Sequence, residues 1–331
     1  MSELLALAGA NLLSPMVLCF VLGAVAAAIR SDLEIPEAIA KGLAIYLMLA
    51  IGMKGGLAMA KSDGANVLPS IAMALALSFA LPLLAYAILR GIRALGSVDA
   101  AAVAAHYGSV SIVTFVTAVE FLNGRGVAFD GVLVAMMAAM ETPAIVTGLL
   151  LARRALGPGT QPQRSRARQS HLLREVLANG SIVVLVGGFA IGWAVGPSGM
   201  EKVKPFIFDI YNGMLCLFLL DMGLVAMRQM RSVDDLGLRL VGFGLVMPPL
   251  NAAIGFAAAR ALGFDVGSTA LLATLCASAS YIAVPAAMRL ALPQARPAIY
   301  VTLSLGVTFP FNVAIGIPLY LSIAQWLARS P

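Results

Sequence analysis

Gly108–Phe115 reads GSVSIVTF, and Ala277–Pro285 reads ASASYIAVP. Each places two serines one residue apart inside a long apolar run. Ser109 and Ser111 precede Ser278 and Ser280 by the same 169 positions. A hydroxyl in such surroundings needs a partner, because burying it unpaired is costly. Whether these hydroxyls serve packing or a ligand depends on what surrounds them.

The surroundings are those of a membrane protein. The 331 residues are 60% hydrophobic and 11% charged, with a mean hydropathy of +0.94, whereas soluble domains carry about 25% charged residues. The 17 prolines and 32 glycines agree, since both are commoner in membrane helices than in soluble ones. The net charge of +6 does not indicate nucleic acid, because the basic residues lie between apolar runs and form no basic domain. Cys19, Cys216 and Cys276 sit inside apolar runs at wide spacing and read as small packing residues. With only His106 and His171, a histidine metal site has too few ligands. The sequence offers no nucleophile–base pair, which points away from an enzyme, and no cofactor is implied.

A span needs about 20 apolar residues. Uncharged runs of that size are Leu4–Ile29, Gly64–Leu89, Ala100–Val119, Val176–Met200, Leu240–Ala259, Val266–Met288 and Pro297–Ala328. Ile35–Met53, Gly131–Ala152 and Val203–Met227 join them if Lys41, Glu141, Asp209 and Asp221 are tolerated, making ten spans. Glu3 is the only charge before Arg30, so the start lacks the positive n-region of a signal peptide and reads as a retained span. Spans five and six are joined by a flexible basic linker, 153–174, with arginines at 153, 154, 164, 166, 168 and 174. With that linker inside, fifteen basic residues fall on the inner side and seven on the outer. The positive-inside rule then puts both termini outside.

The halves 1–152 and 175–331 echo one another. Besides the serines, Pro82 and Pro249 are 167 apart, GGLAM at Gly55–Met59 resembles GLVAM at Gly223–Met227, and PAIVTG at Pro143–Gly148 resembles PFNVAIG at Pro310–Gly316. Five spans per half is an odd number, so the second half enters the membrane from the opposite side. The sequence therefore predicts an all-α membrane protein of ten helices in two inverted repeats, the pattern of many secondary transporters.

In such transporters the substrate sits at the midplane between two broken helices. Helix N-termini there attract anions, and freed carbonyls and hydroxyls hold cations. Gly108 weakens helix in the first stretch and Pro285 in the second, so spans 4 and 9 are the expected breaks. Gly108, Ser109, Ser111, Ala277, Ser278 and Ser280 become the candidate anion site. Either hydroxyl pair could equally bond back to its own helix or pack against a neighbour. Glu141, a carboxylate within a span, is a candidate cation ligand, with a helix–helix hydrogen bond as the plainer role. Thr308 and Asn312 flank Pro310 at the equivalent place in the other half. Asp99 opens the fourth span, as a helix cap or a sodium ligand, and Tyr107 lies beside the first break. Lys54 reads as a snorkelling side chain.

Several long stretches, AIGMKGGLAM, AHYGSVSIVTFVTAVEF, METPAIVTGLLL, CLFLLDMGLVA, ASASYIAVPAAMR and YVTLSLGVTFPFNVAIGIPLY, resemble the SbtA-type sodium-dependent bicarbonate transporters, over most of Leu12 to Tyr320. The resemblance implies a core domain (spans 3–5 and 8–10) moving against a gate domain (spans 1, 2, 6 and 7). It also implies a homotrimer in a bacterial plasma membrane, with sodium as the coupling ion. Bicarbonate and sodium would fall on the serine stretches, with Asp99, Tyr107, Glu141, Thr308 and Asn312 as further sodium candidates. Cyanobacterial members are regulated by a PII-like cytoplasmic protein, and the short arginine-rich linker departs from them there. The residues alone also admit a carrier of another small anion, such as a short carboxylate, or an anion channel or sensor.

Overall fold

Every one of the ten apolar runs carries helix in the computed structural model. It describes residues 12–60, 67–156, 180–231, 236–281, 284–285, 288, 292 and 294–329. The beginnings of the first, third and sixth runs, parts of the ninth run after residue 281 and the linker from residue 157 lie outside the described residues.

The helices are α1 (Pro15–Ala28), α2 (Glu37–Met59), α3 (Val67–Gly91), α4 (Ser97–Gly108), α5 (Ile112–Asn123), α6 (Val132–Glu141) and α7 (Pro143–Leu156). They continue with α8 (Gly180–Met200), α9 (Tyr211–Arg231), α10 (Leu238–Ala261), α11 (Val266–Ala277), α12 (Pro297–Val301) and α13 (Ile317–Arg329). There is no strand among the described residues. Eight helical stretches are long and apolar enough to cross a membrane, while Pro15–Ala28 and Val266–Ala277 are apolar but shorter. The chain is an all-helical, multi-pass membrane protein.

Local chemistry sets several boundaries. The Ser14 hydroxyl accepts the Val17 N–H at the start of α1, where Pro15 fills the first turn. Asp265 caps α11 by accepting the Ser268 N–H at 2.7 Å. Such caps satisfy N–H groups that have no helical partner.

Four runs that read as plain helices are irregular, the sixth through a kink at Gly196 (φ 63°), just before Pro197. The fifth stops at Glu141 and restarts at Pro143, because proline supplies no N–H and disfavours helix at the residue before it. Ser78 of α3 bridges this interruption, donating to the Met140 carbonyl at 2.6 Å and accepting the Ala144 N–H at 3.1 Å. The seventh opens with a π-helical stretch, Pro205–Asp209. The tenth passes from α12 through π-helical Thr302–Thr308, one turn at Phe309–Phe311 and π-helical Asn312–Gly316 into α13. Each π stretch widens the hydrogen-bond ladder and turns the following side chains to a new face.

The helices pack in two sets. In one, α2 lies along α8 and α9, and α1 lies along α9. In the other, α3, α4, α6 and α7 pack together, as do α10, α11, α13 and the π-helical 302–308 stretch. The sets meet where α2 touches α6 and where α9 touches the 302–308 stretch. Within the first set, backbones approach through glycine. A methyl group at Gly52 would meet the Leu185 carbonyl oxygen at 2.5 Å, and at Gly56 and Gly192 it would collide with the carbonyls of Phe189 and Met53. Small residues four apart let membrane helices approach this closely. The most deeply buried candidate span is 97–123, which holds the first serine stretch.

Candidate functional site

Helices α4 and α11 are each 12 residues long and begin 169 residues apart. Both end on an extended serine, Ser109 at φ −88°, ψ 153° and Ser278 at φ −78°, ψ 160°. The first chain resumes helix at Ile112, where the Ser111 hydroxyl caps α5 by accepting the Thr114 N–H at 3.2 Å. The three residues Ser109–Ser111 between α4 and α5 are therefore non-helical and buried.

The two helix breaks bond to each other. The Ser111 N–H donates to Ser278 Oγ at 2.9 Å, and the Ser280 N–H donates to the His106 carbonyl at 2.8 Å. Ser278 Oγ passes its own proton to the Leu275 carbonyl at 2.8 Å. A second layer of side chains holds each segment. Ser109 Oγ donates to the Glu141 carbonyl at 3.1 Å, and Asn312 Nδ2 donates to the Ala277 carbonyl at 2.9 Å. Tyr320 donates to Asn312 Oδ1 at 2.9 Å. Thr308 uses its one proton on the Gly244 carbonyl at 2.8 Å, so Tyr107 is the donor in the 2.6 Å contact between their hydroxyls. Asn251 Nδ2 donates to the Tyr107 carbonyl at 3.1 Å.

The structure thus gathers Tyr107, Gly108, Ser109, Ser111, Ala277, Ser278, Ser280, Thr308 and Asn312 in one buried network, with the Glu141 backbone joined to it. Gly108 lies against the Pro82 ring, where a side chain would collide. Glu141 is 2% exposed, and its Oε2 has no hydrogen-bond partner. Asp99 is elsewhere. It occupies the first turn of α4, about 13 Å along the helix from Gly108. There it accepts the Arg296 N–H and Nε–H, each at 2.9 Å, and pairs with the same guanidinium. His106 is also bound into the fold: Nδ1 donates to the Ala102 carbonyl at 2.7 Å and the ring stacks on Tyr300 at 4.4 Å.

Chemically, N–H groups and hydroxyls at the crossing suit an oxyanion. The C-terminal ends of α4 and α11, with a carboxylate beside them, suit a cation. Composition alone did not single out Ser78 and Asn251, because their roles depend on which backbone groups lie opposite.

Glu120 was also missed, although an acidic residue in an apolar span is a functional signal. Its Oε1 lies 3.5 Å from Lys54 Nζ and accepts from Asn123 Nδ2 at 3.3 Å. Lys54 does not simply snorkel: it is mostly buried and lies 3.4 Å above the centre of the Tyr211 ring. The pair joins α2 to α5, and so one helix set to the other.

No curated protein compared with the chain matches it. A family model described as the Na+-dependent bicarbonate transporter superfamily matches residues 15–325, nearly the whole chain, and the protein belongs to that family of transporters.

Proposed function

We propose that the chain is a sodium-coupled bicarbonate symporter of a bacterial plasma membrane, with both termini outside and three subunits in the assembly. The observation that carries this reading is the bonding of two serine breaks 169 residues apart, Ser111 N–H to Ser278 Oγ and Ser280 N–H to the His106 carbonyl at the end of α4. Equal helices that end on equivalent serines support an inverted repeat with broken spans 4 and 9. The two packing sets support a gate (spans 1, 2, 6 and 7) and a core (spans 3–5 and 8–10) that moves against it by alternating access.

In this reading bicarbonate exchanges partners with the protein. It enters between Ser111 and Ser278, accepting the Ser111 and Ser280 N–H groups and the serine hydroxyls. Its own O–H faces a freed carbonyl. Sodium sits on the Glu141 side, where carboxylate, carbonyl and hydroxyl oxygens offer a hard ligand set, and where its charge offsets the repulsion between bicarbonate and Glu141. Tyr107, Thr308 and Asn312 hold the segments that supply these oxygens. Asp99, already engaged by Arg296, is left out of the ligand set.

Charge balance favours coupling. Moving one bicarbonate into an inside-negative compartment costs about 2.3 kcal/mol per 100 mV, and one sodium ion cancels that term. A tenfold sodium gradient then supports about tenfold accumulation. Uptake of labelled bicarbonate into proteoliposomes with and without a sodium gradient tests the proposal. Uphill uptake only with the gradient is expected. Gradient-independent equilibration would indicate a channel, and competition by a short carboxylate would indicate a different anion.

A further inference from the structure

A groove of about 260 Å³ runs between α3 and α10. Ile88 and Ile92 form one wall, Val246 and Leu250 the other, and Phe243 and Met247 the floor. Val246 is 63% exposed and Leu250 38%, so the groove opens to the surroundings of the protein, which for a multi-pass chain are lipid. Among the described lining residues only Arg239, at one end, is charged. From Arg239 to Leu250, α10 rises about 16 Å, or half of a hydrocarbon core about 30 Å thick. The groove therefore belongs to one leaflet.

The arginine end is more basic than the lining alone suggests. Arg239 reaches over the Ile92 carbonyl at 3.4 Å, next to Arg93, and Arg90 lies one turn earlier on α3. Among the described residues none of these three arginines is in an ion pair. An apolar trough with unneutralised cations at one mouth fits an amphiphile with an anionic head. Free phosphate would leave the apolar length unused.

We propose that this groove binds one acyl chain of an anionic phospholipid, with the lipid phosphate held at Arg239. The site would bear on the serine crossing. Phe243, on the groove floor, packs edge-on against Tyr107 with ring centres 4.8 Å apart, and Tyr107 directly precedes Gly108. That consequence rests on the transport reading above, while the binding itself does not.

The test uses the full-length protein in detergent and measures retained lipid by native mass spectrometry, with phosphatidylglycerol, phosphatidylcholine or inorganic phosphate added. Wild type is expected to prefer phosphatidylglycerol. Arg239→Gln should lower that preference about fivefold, the effect of one basic residue near a lipid surface. Gly242 also lines the groove, so Gly242→Leu should abolish retention of either lipid by filling it, and it should still fold, since a Cβ at Gly242 meets nothing within 4 Å. Any of three results overturns the proposal: equal retention by wild type and Gly242→Leu, no preference for the anionic lipid, or the same Arg239 dependence for inorganic phosphate. So does a change of oligomeric state in Gly242→Leu with lipid retention intact, which would make the groove a subunit contact. None of these outcomes depends on whether the protein moves bicarbonate.

Discussion

The backbone N–H of Ser111 donates to the hydroxyl oxygen of Ser278 at 2.9 Å, across 167 residues of chain. The bond joins the start of α5 to the end of α11. It is fully buried, so neither group can turn to water when its partner is lost.

Ser278→Ala removes the acceptor and leaves the Ser111 N–H unpaired. If bicarbonate shares these groups, losing one hydrogen bond to a charged ligand costs about 1.5–3 kcal/mol. The bicarbonate half-saturation should then rise about 10- to 150-fold at saturating sodium. Ser109→Ala, which frees the Glu141 carbonyl, should act in the same direction. Normal half-saturation in both variants, measured by labelled uptake, would return these hydroxyls to a packing role.

Glu141 and Asp99 should separate cleanly. Glu141→Gln removes the charge of a carboxylate with an unpartnered oxygen beside the network, so the sodium concentration for half-activation should rise at least tenfold. Asp99→Asn weakens a partly exposed ion pair with Arg296, worth about 1 kcal/mol or less. It should lower Tm slightly and leave sodium activation unchanged. Wild-type sodium activation in Glu141→Gln would exclude that side chain as a ligand.

Lys54 and Glu120 should behave as a pair. Removing one partner strands a buried charge, at a cost of about 3–5 kcal/mol. Lys54→Met and Glu120→Gln should each lower Tm markedly, and the double variant should recover most of the loss. A double-mutant cycle by thermal unfolding gives the coupling directly. Strict additivity would show that the 3.5 Å approach carries no energy.

The close contact of α2 with α8 has no room for a side chain at Gly192, where a Cβ would collide with the Met53 carbonyl. Overpacking of this kind costs about 1–3 kcal/mol. Gly192→Leu should lower Tm accordingly, whereas Gly187→Leu, on the same helix but with open space at its Cβ, should not. Equal Tm values would mean that the two helices can move apart freely.

Orientation can be checked apart from stability. On the proposed topology, with the arginine-rich linker inside, a cysteine placed at Gln163 should resist an impermeant thiol reagent added outside intact cells. Labelling from outside would reverse the topology.

The class of protein and the position of the spans are legible in the residues alone. Runs of about 20 apolar residues have few ways to exist other than crossing a membrane, and all ten runs carry helix. The sequence also pointed to the serine stretches, because a hydroxyl repeated at one offset in two apolar runs stands out against its background. Which polar atoms meet is set by how the helices pack. Ser111 finds Ser278, Asp99 finds Arg296, and Glu120 finds Lys54, over separations in chain that no periodicity encodes. The interruption at Glu141–Pro143 and the π-helical turns of the last span were missed for the same reason. Pro143 marks the first locally, but Ser78 from another helix holds it open at the Met140 carbonyl, as Tyr107 meets Thr308 in the last span. Hydrophobic burial sets where a helix lies without regard to direction. Hydrogen bonds are short and directional, so they exist only once packing has brought both ends to the same point.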